Sequence, residues 1–179
     1  TNALPNLTGY ICDHQCQYVC TRLDYEGSVQ IREMKKIAAE QGFADYIKTW
    51  EKSESTAVKA AVVGSGPAGL AAAYFLARSA FDVTLFEKER DAGGIMRNVI
   101  PEFRFPERVL QADIDFIEKH GVKFEFGVDN SLVTIQNLRD LGFKYIFYAI
   151  GSDVDNILPI EGAKEKVLPS LKFLTSYRE

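Results

Sequence analysis

An apolar run, Val58 to Val63, meets Gly64-Ser65-Gly66-Pro67-Ala68-Gly69 and then a longer apolar segment, Leu70 to Ala80. The run has the length of a buried strand, and the segment after it has the length of a helix. Glycines at such a junction allow a tight turn and a close approach of backbone to a pyrophosphate. The helix start supplies free N–H groups and the positive end of its dipole. About twenty residues further on, Asp82-Val83-Thr84-Leu85-Phe86-Glu87 reads as a second strand that ends on an acid. Strand, glycine turn, helix, strand and acid make the βαβ unit that binds a dinucleotide. A glycine turn that merely packs a helix on a sheet would leave that acid unexplained. Glu87 stands where a carboxylate can accept hydrogen bonds from a ribose.

The 179 residues suit one domain with an appendage, and a hydrophobic content of 46% supports a core. A net charge of -4 without any basic run argues against a nucleic-acid partner. No apolar stretch is long enough to span a bilayer, and no signal peptide is recognisable, so no membrane role is expected. The start at Thr1 rather than Met suggests an excised piece. All three cysteines, Cys12, Cys16 and Cys20, fall in one short segment. An odd number so close together is a poor disulfide framework and fits a reducing compartment, hence the cytoplasm.

Residues 1–27 read as irregular. Val29, Ile31, Met34, Ile37 and Ala38 recur at helical spacing over Ser28 to Gln41, with Gly42 as the stop. A second short helix is expected over Ala44 to Lys52, packing Tyr46, Ile47 and Trp50. The division expected is a helical cysteine-bearing cap over 1–52, a linker over 53–56 and an α/β domain over 57–179. After Glu87 comes a long connection, Lys88 to Phe105, with Gly93-Gly94 and Ile100-Pro101 inside it; such loops usually carry function. Then follow a helix over Pro106 to His120, a strand over Val122 to Phe126, a short helix over Thr134 to Leu141, and a strand over Lys144 to Ile150. A last helix covers Ser170 to Tyr177. The sum is a Rossmann-like parallel sheet with helices on both faces.

Three features tilt the cofactor toward FAD rather than NAD. Gly93-Gly94 lets a second loop close over a pyrophosphate. The ending Phe147-Tyr148-Ala149-Ile150-Gly151 lets backbone pass close to a cofactor, and the long connection can line a flavin.

Gly64 to Gly69, Glu87, the stretch Glu89 to Asn98 and the Ala149-Ile150-Gly151 ending resemble the FAD domain of the two-dinucleotide-binding flavoproteins. Ile100-Pro101-Glu102-Phe103-Arg104-Phe105-Pro106 is similar to an element of the glutamate synthase small subunit and of the N-terminal region of dihydropyrimidine dehydrogenase. Leu4-Pro5-Asn6-Leu7-Thr8-Gly9-Tyr10-Ile11-Cys12 resembles the selenate-reductase-type flavoprotein subunits of this group. The resemblance implies that Gly64, Gly66, Pro67, Ala68 and Gly69 hold the FAD pyrophosphate and that Glu87 binds the adenosine ribose, with Lys88 beside it. Gly94, Ile95 and Arg97 would border the flavin half, and Ala149 and Gly151 would pass near the pyrophosphate. Relatives often carry Gly where Ala80 stands, a departure expected to cost no binding.

Cys12-x3-Cys16-x3-Cys20 suits an iron–sulfur cluster or zinc by the softness of its thiolates. Its spacing resembles the cluster-binding cap before the FAD domain in this family. A [4Fe-4S] cluster is expected in the full-length protein but not in these residues alone, which supply too few cysteines. Relatives often place Glu or Gln where Lys35 stands, with Glu33 nearby. His14 reads as a loop residue, and His120 as a cation at a helix C-terminus; neither is given a catalytic role. The resemblance implies an NAD(P)H-dependent flavoprotein oxidoreductase that passes electrons through FAD to iron–sulfur clusters and on to a partner subunit or domain. The cofactor carries the chemistry, so no catalytic acid or base is named. With one glycine fingerprint, these residues alone are not expected to turn over. The alternative is a non-catalytic nucleotide-binding module that docks a partner subunit.

Overall fold

The computed structural model describes residues 2–49, 56–152, 161–162 and 166–178. Strands β1 (Lys59–Val63), β2 (Asp82–Phe86), β3 (Lys123–Glu125) and β4 (Tyr145–Tyr148) form one parallel sheet in the order β3-β2-β1-β4. β1 pairs with β2 from Lys59 opposite Asp82 to Val63 opposite Phe86, and with β4 from Ala60 opposite Tyr145 to Val63 opposite Tyr148. From Ala60 onward every residue of β1 is buried. A parallel strand covered on both faces needs apolar side chains at every position, so its sequence does not alternate.

The helices are α1 (Pro5–Ile11), α2 (Gln15–Tyr18), α3 (Ile31–Thr49), α4 (Pro67–Arg78), α5 (Ile95–Asn98), α6 (Glu107–Lys119), α7 (Ile135–Asp140) and α8 (Ser170–Arg178). The larger core joins Ala60, Val62, Val83 and Leu85 of the sheet to Leu70 and Tyr74 of α4 and to Leu110 and Ile117 of α6. A smaller core joins Ala61 and Val63 to Leu138 of α7 and to Phe143. Alternate residues of β1 thus serve opposite faces, and helices cover both, as expected. Within the α/β domain the observed ends of the expected elements lie within three residues of the sequence reading, and some coincide with it.

The N-terminal segment departs from that reading. Residues 1–27 are not irregular: α1, α2 and a 3-10 turn, Thr21–Asp24, lie there. Pro5 opens α1, where a missing N–H costs nothing. Gly42 does not stop a helix. α3 runs through it as one helix of 19 residues, so the expected second helix is the C-terminal part of the same element. A glycine ends a helix by taking a left-handed φ, and Gly42 is not among the positive-φ residues. Inside the helix its cost is only about 1 kcal/mol. Packing by Phe43 and Ile47 against the larger core outweighs it. The expected apolar stripe also faces outward, with Ile31, Met34 and Ile37 exposed by 42%, 62% and 43%. Periodicity revealed the helix but not the side that packs. α3 crosses α1 closely: a β-carbon on Gly9 would lie 3.0 Å from Lys36 Cα, and Lys36 Nζ stands 4.5 Å from the Tyr10 ring centre. Trp50, Lys52 and the expected linker before Thr56 lie outside the described residues.

Candidate dinucleotide-binding site

β1 ends at Val63, and α4 begins at Pro67 with Gly66 as its N-cap. Among the described residues no side chain caps that end, and the N–H groups of a helix N-terminus suit an anion. The three turn glycines have different reasons to be glycine. Gly64 has a φ of 100°, and a β-carbon there would meet the Ala149 carbonyl oxygen at 2.5 Å. A β-carbon on Gly69 would lie 1.8 Å from the Gly64 carbonyl oxygen. Both are required by the protein's own packing. A β-carbon on Gly66 would meet nothing within 4 Å, so its missing side chain leaves open space above the turn. Pro67 and Ala68 are exposed beside it.

The strand ends meet at this turn. Gly64 N–H donates to the Phe86 carbonyl at 2.7 Å, and Ala149 N–H to the Val63 carbonyl at 2.7 Å. Glu87 is only 7% exposed. Its Oε2 accepts the Ser65 N–H at 2.7 Å and the Ser65 hydroxyl at 2.5 Å, and its Oε1 accepts the Glu89 N–H at 3.0 Å. Burial alone would raise the carboxyl's pKa. The hydrogen bonds from Ser65, Glu89 and Lys88 together outweigh it and hold the group below the ordinary glutamate range. Glu87 is therefore an anion at neutral pH. Lys88 is exposed, with its ammonium 4.0 Å from Glu89.

Gly93-Gly94 sits directly on the glycine turn. Gly93 N–H is shared between the Ser65 carbonyl at 3.1 Å and the Ser65 hydroxyl at 3.2 Å. Gly94, with φ 53°, has its β-carbon position 2.9 Å from Gly66 Cα. Two backbones are thus stacked at the rim of the open space, an approach that any side chain would prevent. Gly94 is the N-cap of α5, and Ile95, its first residue, is exposed. Arg97 turns toward α6: its Nε donates to the Ala92 carbonyl at 2.6 Å, and its guanidinium pairs with Glu107 and reaches Gln111 at 3.2 Å. Glu107 also accepts from Arg178 of α8 at 3.0 Å, and Arg178 donates to the Ile100 carbonyl. One carboxylate therefore ties the second glycine loop, α6 and the last helix together. At the far rim, Gly151 has φ 74° with open space around it.

The cysteine segment lies apart from this turn. Cys12 and Cys20 are half-buried, Cys16 is exposed, and all three are free thiols. Hydrogen bonds from the backbone of Val29 and Arg22 lower the Cys20 pKa. Among the described residues no group of three or more His, Cys, Asp or Glu side chains is placed to hold a metal ion. These thiols by themselves do not fit a cluster. Cys12, His14 and Arg32 share a hollow of about 330 Å³ with Phe103 and Arg104 of the long connection. The segment therefore shares this hollow with the connection that follows the second glycine loop.

His120 is not the cation expected of it. It is 1% exposed, and its ring lies against Phe116, Tyr74 and Tyr46 at 4.4, 4.9 and 6.2 Å. Burial, with Arg78 adding to it, pulls its pKa down, so the ring is neutral at pH 7. Sequence reading also missed Ser65, Glu107 and Asp113. Ser65 left a trace as the one hydroxyl inside the glycine turn. Glu107 and Asp113 read as ordinary polar positions of a surface helix, because their partners are remote in sequence.

Residues 62–134 match the family model described as NAD(P)-binding Rossmann-like domain. The sheet, the glycine turn and the acid after β2 thus define a Rossmann-like nucleotide-binding module. The chain is 50% identical over 180 aligned positions to "Putative oxidoreductase YgfK" of Escherichia coli strain K12, covering 99% of this chain and 17% of that protein. It is 33% identical to the glutamate synthase [NADPH] small chain of Mycobacterium tuberculosis strain H37Rv, covering 97% of this chain and 36% of that one. It is 35% identical to the NAD-dependent dihydropyrimidine dehydrogenase subunit PreT of Escherichia coli strain K12, covering 77% and 34%. YgfK, glutamate synthase small chains and PreT are thus relatives of this chain, which spans between about a sixth and a third of their length. Among the described residues no helix is long and apolar enough to cross a membrane.

Proposed function

We propose that this chain is the FAD-binding part of an NAD(P)H-linked flavoprotein oxidoreductase. The observation that carries the reading is the stacking of Gly94 on Gly66 beside an open space over the α4 N-terminus. A single glycine turn serves any dinucleotide, but a second backbone loop laid against it makes a two-sided cradle for a pyrophosphate. In this reading Gly64, Gly66, Pro67, Ala68 and Gly69 form one side of the cradle, and Ala149 and Gly151 its edge. Glu87 receives the ribose with Lys88 beside it, and Gly94 and Ile95 border the flavin half. Arg97 fixes the loop from behind through Glu107. A buried anion at Glu87 repels a ribose phosphate and suits a nucleotide with free ribose hydroxyls, as FAD has.

FAD supplies hydride and single-electron chemistry when bound; the chain's own groups bind, orient and fix charge. The division into a cap over 1–52, a linker over 53–56 and a FAD domain over 57–179 belongs to the same proposal, as do a cytoplasmic location and an electron-accepting partner. Cys12, Cys16 and Cys20 are proposed as ligands of a [4Fe-4S] cluster only together with ligands from outside these residues. The test is the absorbance spectrum of the purified full-length protein with its iron and sulfide content. Bound flavin with both elements is expected, and Cys16→Ser should lower iron and sulfide without removing flavin. Protein that binds nicotinamide but no flavin would overturn the FAD reading.

A further inference from the structure

Ser65 is fully buried inside the glycine turn, and all of its polar atoms are committed. Its N–H and its hydroxyl both donate to the same oxygen, Glu87 Oε2, at 2.7 and 2.5 Å. Its carbonyl and its hydroxyl oxygen both accept the Gly93 N–H, at 3.1 and 3.2 Å. One residue therefore joins the turn after β1, the acid after β2 and the second glycine loop. From these bonds we infer that Ser65 is a positioning residue for the dinucleotide: its hydroxyl aims the Glu87 carboxylate and seats the Gly93-Gly94 loop before the ligand arrives. The inference rests on the FAD reading given above.

Two consequences separate this role from simple packing. A carboxylate has about four acceptor positions, and Ser65 fills Oε2 with two donors. A ribose hydroxyl must then be received at Oε1, so the serine selects which oxygen faces the ligand. The hydroxyl is also one of the bonds that hold Glu87 in its charged form against burial. Without it the carboxyl binds a proton more readily, and a protonated acid is a weaker acceptor for ribose. The turn itself does not need a hydroxyl, since Gly64 and Gly69 set its path.

The experiment compares wild-type and Ser65→Ala protein, both stripped of bound flavin, by FAD fluorescence titration between pH 4 and 8. Ser65→Ala should bind about tenfold or more weakly at pH 7, and its loss of affinity on acidification should begin at higher pH than in wild type. Equal affinity, or a uniform loss with an unmoved acid limb, would overturn the positioning role. Wild type that binds no FAD at any pH would instead defeat the FAD reading. Amide exchange of flavin-free wild type adds a test that needs no variant: the Gly93 N–H should be protected. Free exchange there would show that the loop is not seated in advance, and would overturn the inference even if Ser65→Ala failed to fold.

Discussion

Asp113, in the middle of α6, accepts the backbone N–H of Leu7 at 2.8 Å across 106 residues of sequence. It also accepts the Asn6 N–H at 3.1 Å and the Asn6 side-chain amide at 2.8 Å. The first turn of α1 has no side-chain cap of its own; this carboxyl from the nucleotide-binding domain takes that place. Asp113→Ala would leave three buried donors without this partner, at a cost of about 2–4 kcal/mol. Urea unfolding should register the loss, and amide exchange should localise it to residues 4–11. Unchanged protection of Leu7 would show that α1 is held by packing alone.

The same carboxyl gives stability a pH dependence of unusual sign. Burial raises its pKa from 3.8 to about 6, against the opposing hydrogen bonds from Leu7 and Asn6. Between about pH 4 and pH 6 the folded chain retains a proton that the unfolded chain has released. This contribution to stability is therefore full below pH 4 and is lost as pH rises through 6. Asp113→Asn should flatten that slope. Glu87 has the opposite sign, because its folded pKa is lowered: its contribution is present above the ordinary glutamate range and disappears as pH falls through its folded pKa. Thermal melts of Asp113→Asn and wild type at pH 4 and 7 test the first statement, and identical differences would refute it.

The three turn glycines should divide by substitution. Gly66→Val enters open space, so it should fold normally and lose FAD binding. Gly64→Ala and Gly69→Ala meet backbone at 2.5 and 1.8 Å and should destabilise the fold by about 1–3 kcal/mol or more. Thermal denaturation beside flavin titration separates the two outcomes. Normal flavin affinity in Gly66→Val would make the turn a purely structural device.

Glu87→Ala removes the carboxylate that Ser65 holds in place. Charge-assisted bonds of about 1.5–3 kcal/mol are lost, so FAD affinity should fall about tenfold or more. An unchanged affinity would take Glu87 out of the site.

Ala80 is the substitution that the molecule should welcome. It sits just past α4 with φ 67°, while its N–H donates to Ala77 and the Phe81 N–H donates to Leu76. That is a left-handed helix end, where a β-carbon costs about 1–2 kcal/mol. Gly loses about 0.4–1 kcal/mol of this gain through a freer unfolded chain. Ala80→Gly should therefore stabilise by about 0.5–1 kcal/mol, raising the melting temperature with flavin affinity unchanged. A lower melting temperature would refute the account.

The α/β elements were legible in the sequence because each carries a local signal. Val58 to Val63 is a continuous apolar run, the turn is glycine-rich, and Pro106 marks the start of α6 as its N-cap. The two stacked glycine loops were legible for the same reason, since Gly64, Gly69, Gly93 and Gly94 are constrained by positive φ or close contacts, while Gly66 leaves open space beside them. What stayed hidden depends on contacts between distant segments. Asp113 and Glu107 are polar residues on a helix whose apolar side, Val109, Ile114, Phe116 and Ile117, was plain. His120 reads as a helix-end cation until Tyr74, Phe116 and Tyr46 are seen around it. Gly42 misled because only its dihedral angle, and not its identity, decides whether a helix ends.

α6 has a consequence for how this protein can change over time. Its first turn anchors the second glycine loop through Glu107, its centre holds α1 through Asp113, and its C-terminal end lodges Phe116 and His120 against Tyr46 of α3. A rod of 13 residues, about 20 Å long, is thus the common footing of the cysteine-bearing segment and the nucleotide cradle. A sequence drift that tilts or shifts this rod disturbs both at once. The cysteine segment cannot be retuned or exchanged for another while α6 keeps its present residues. The two parts are bound to evolve as a pair.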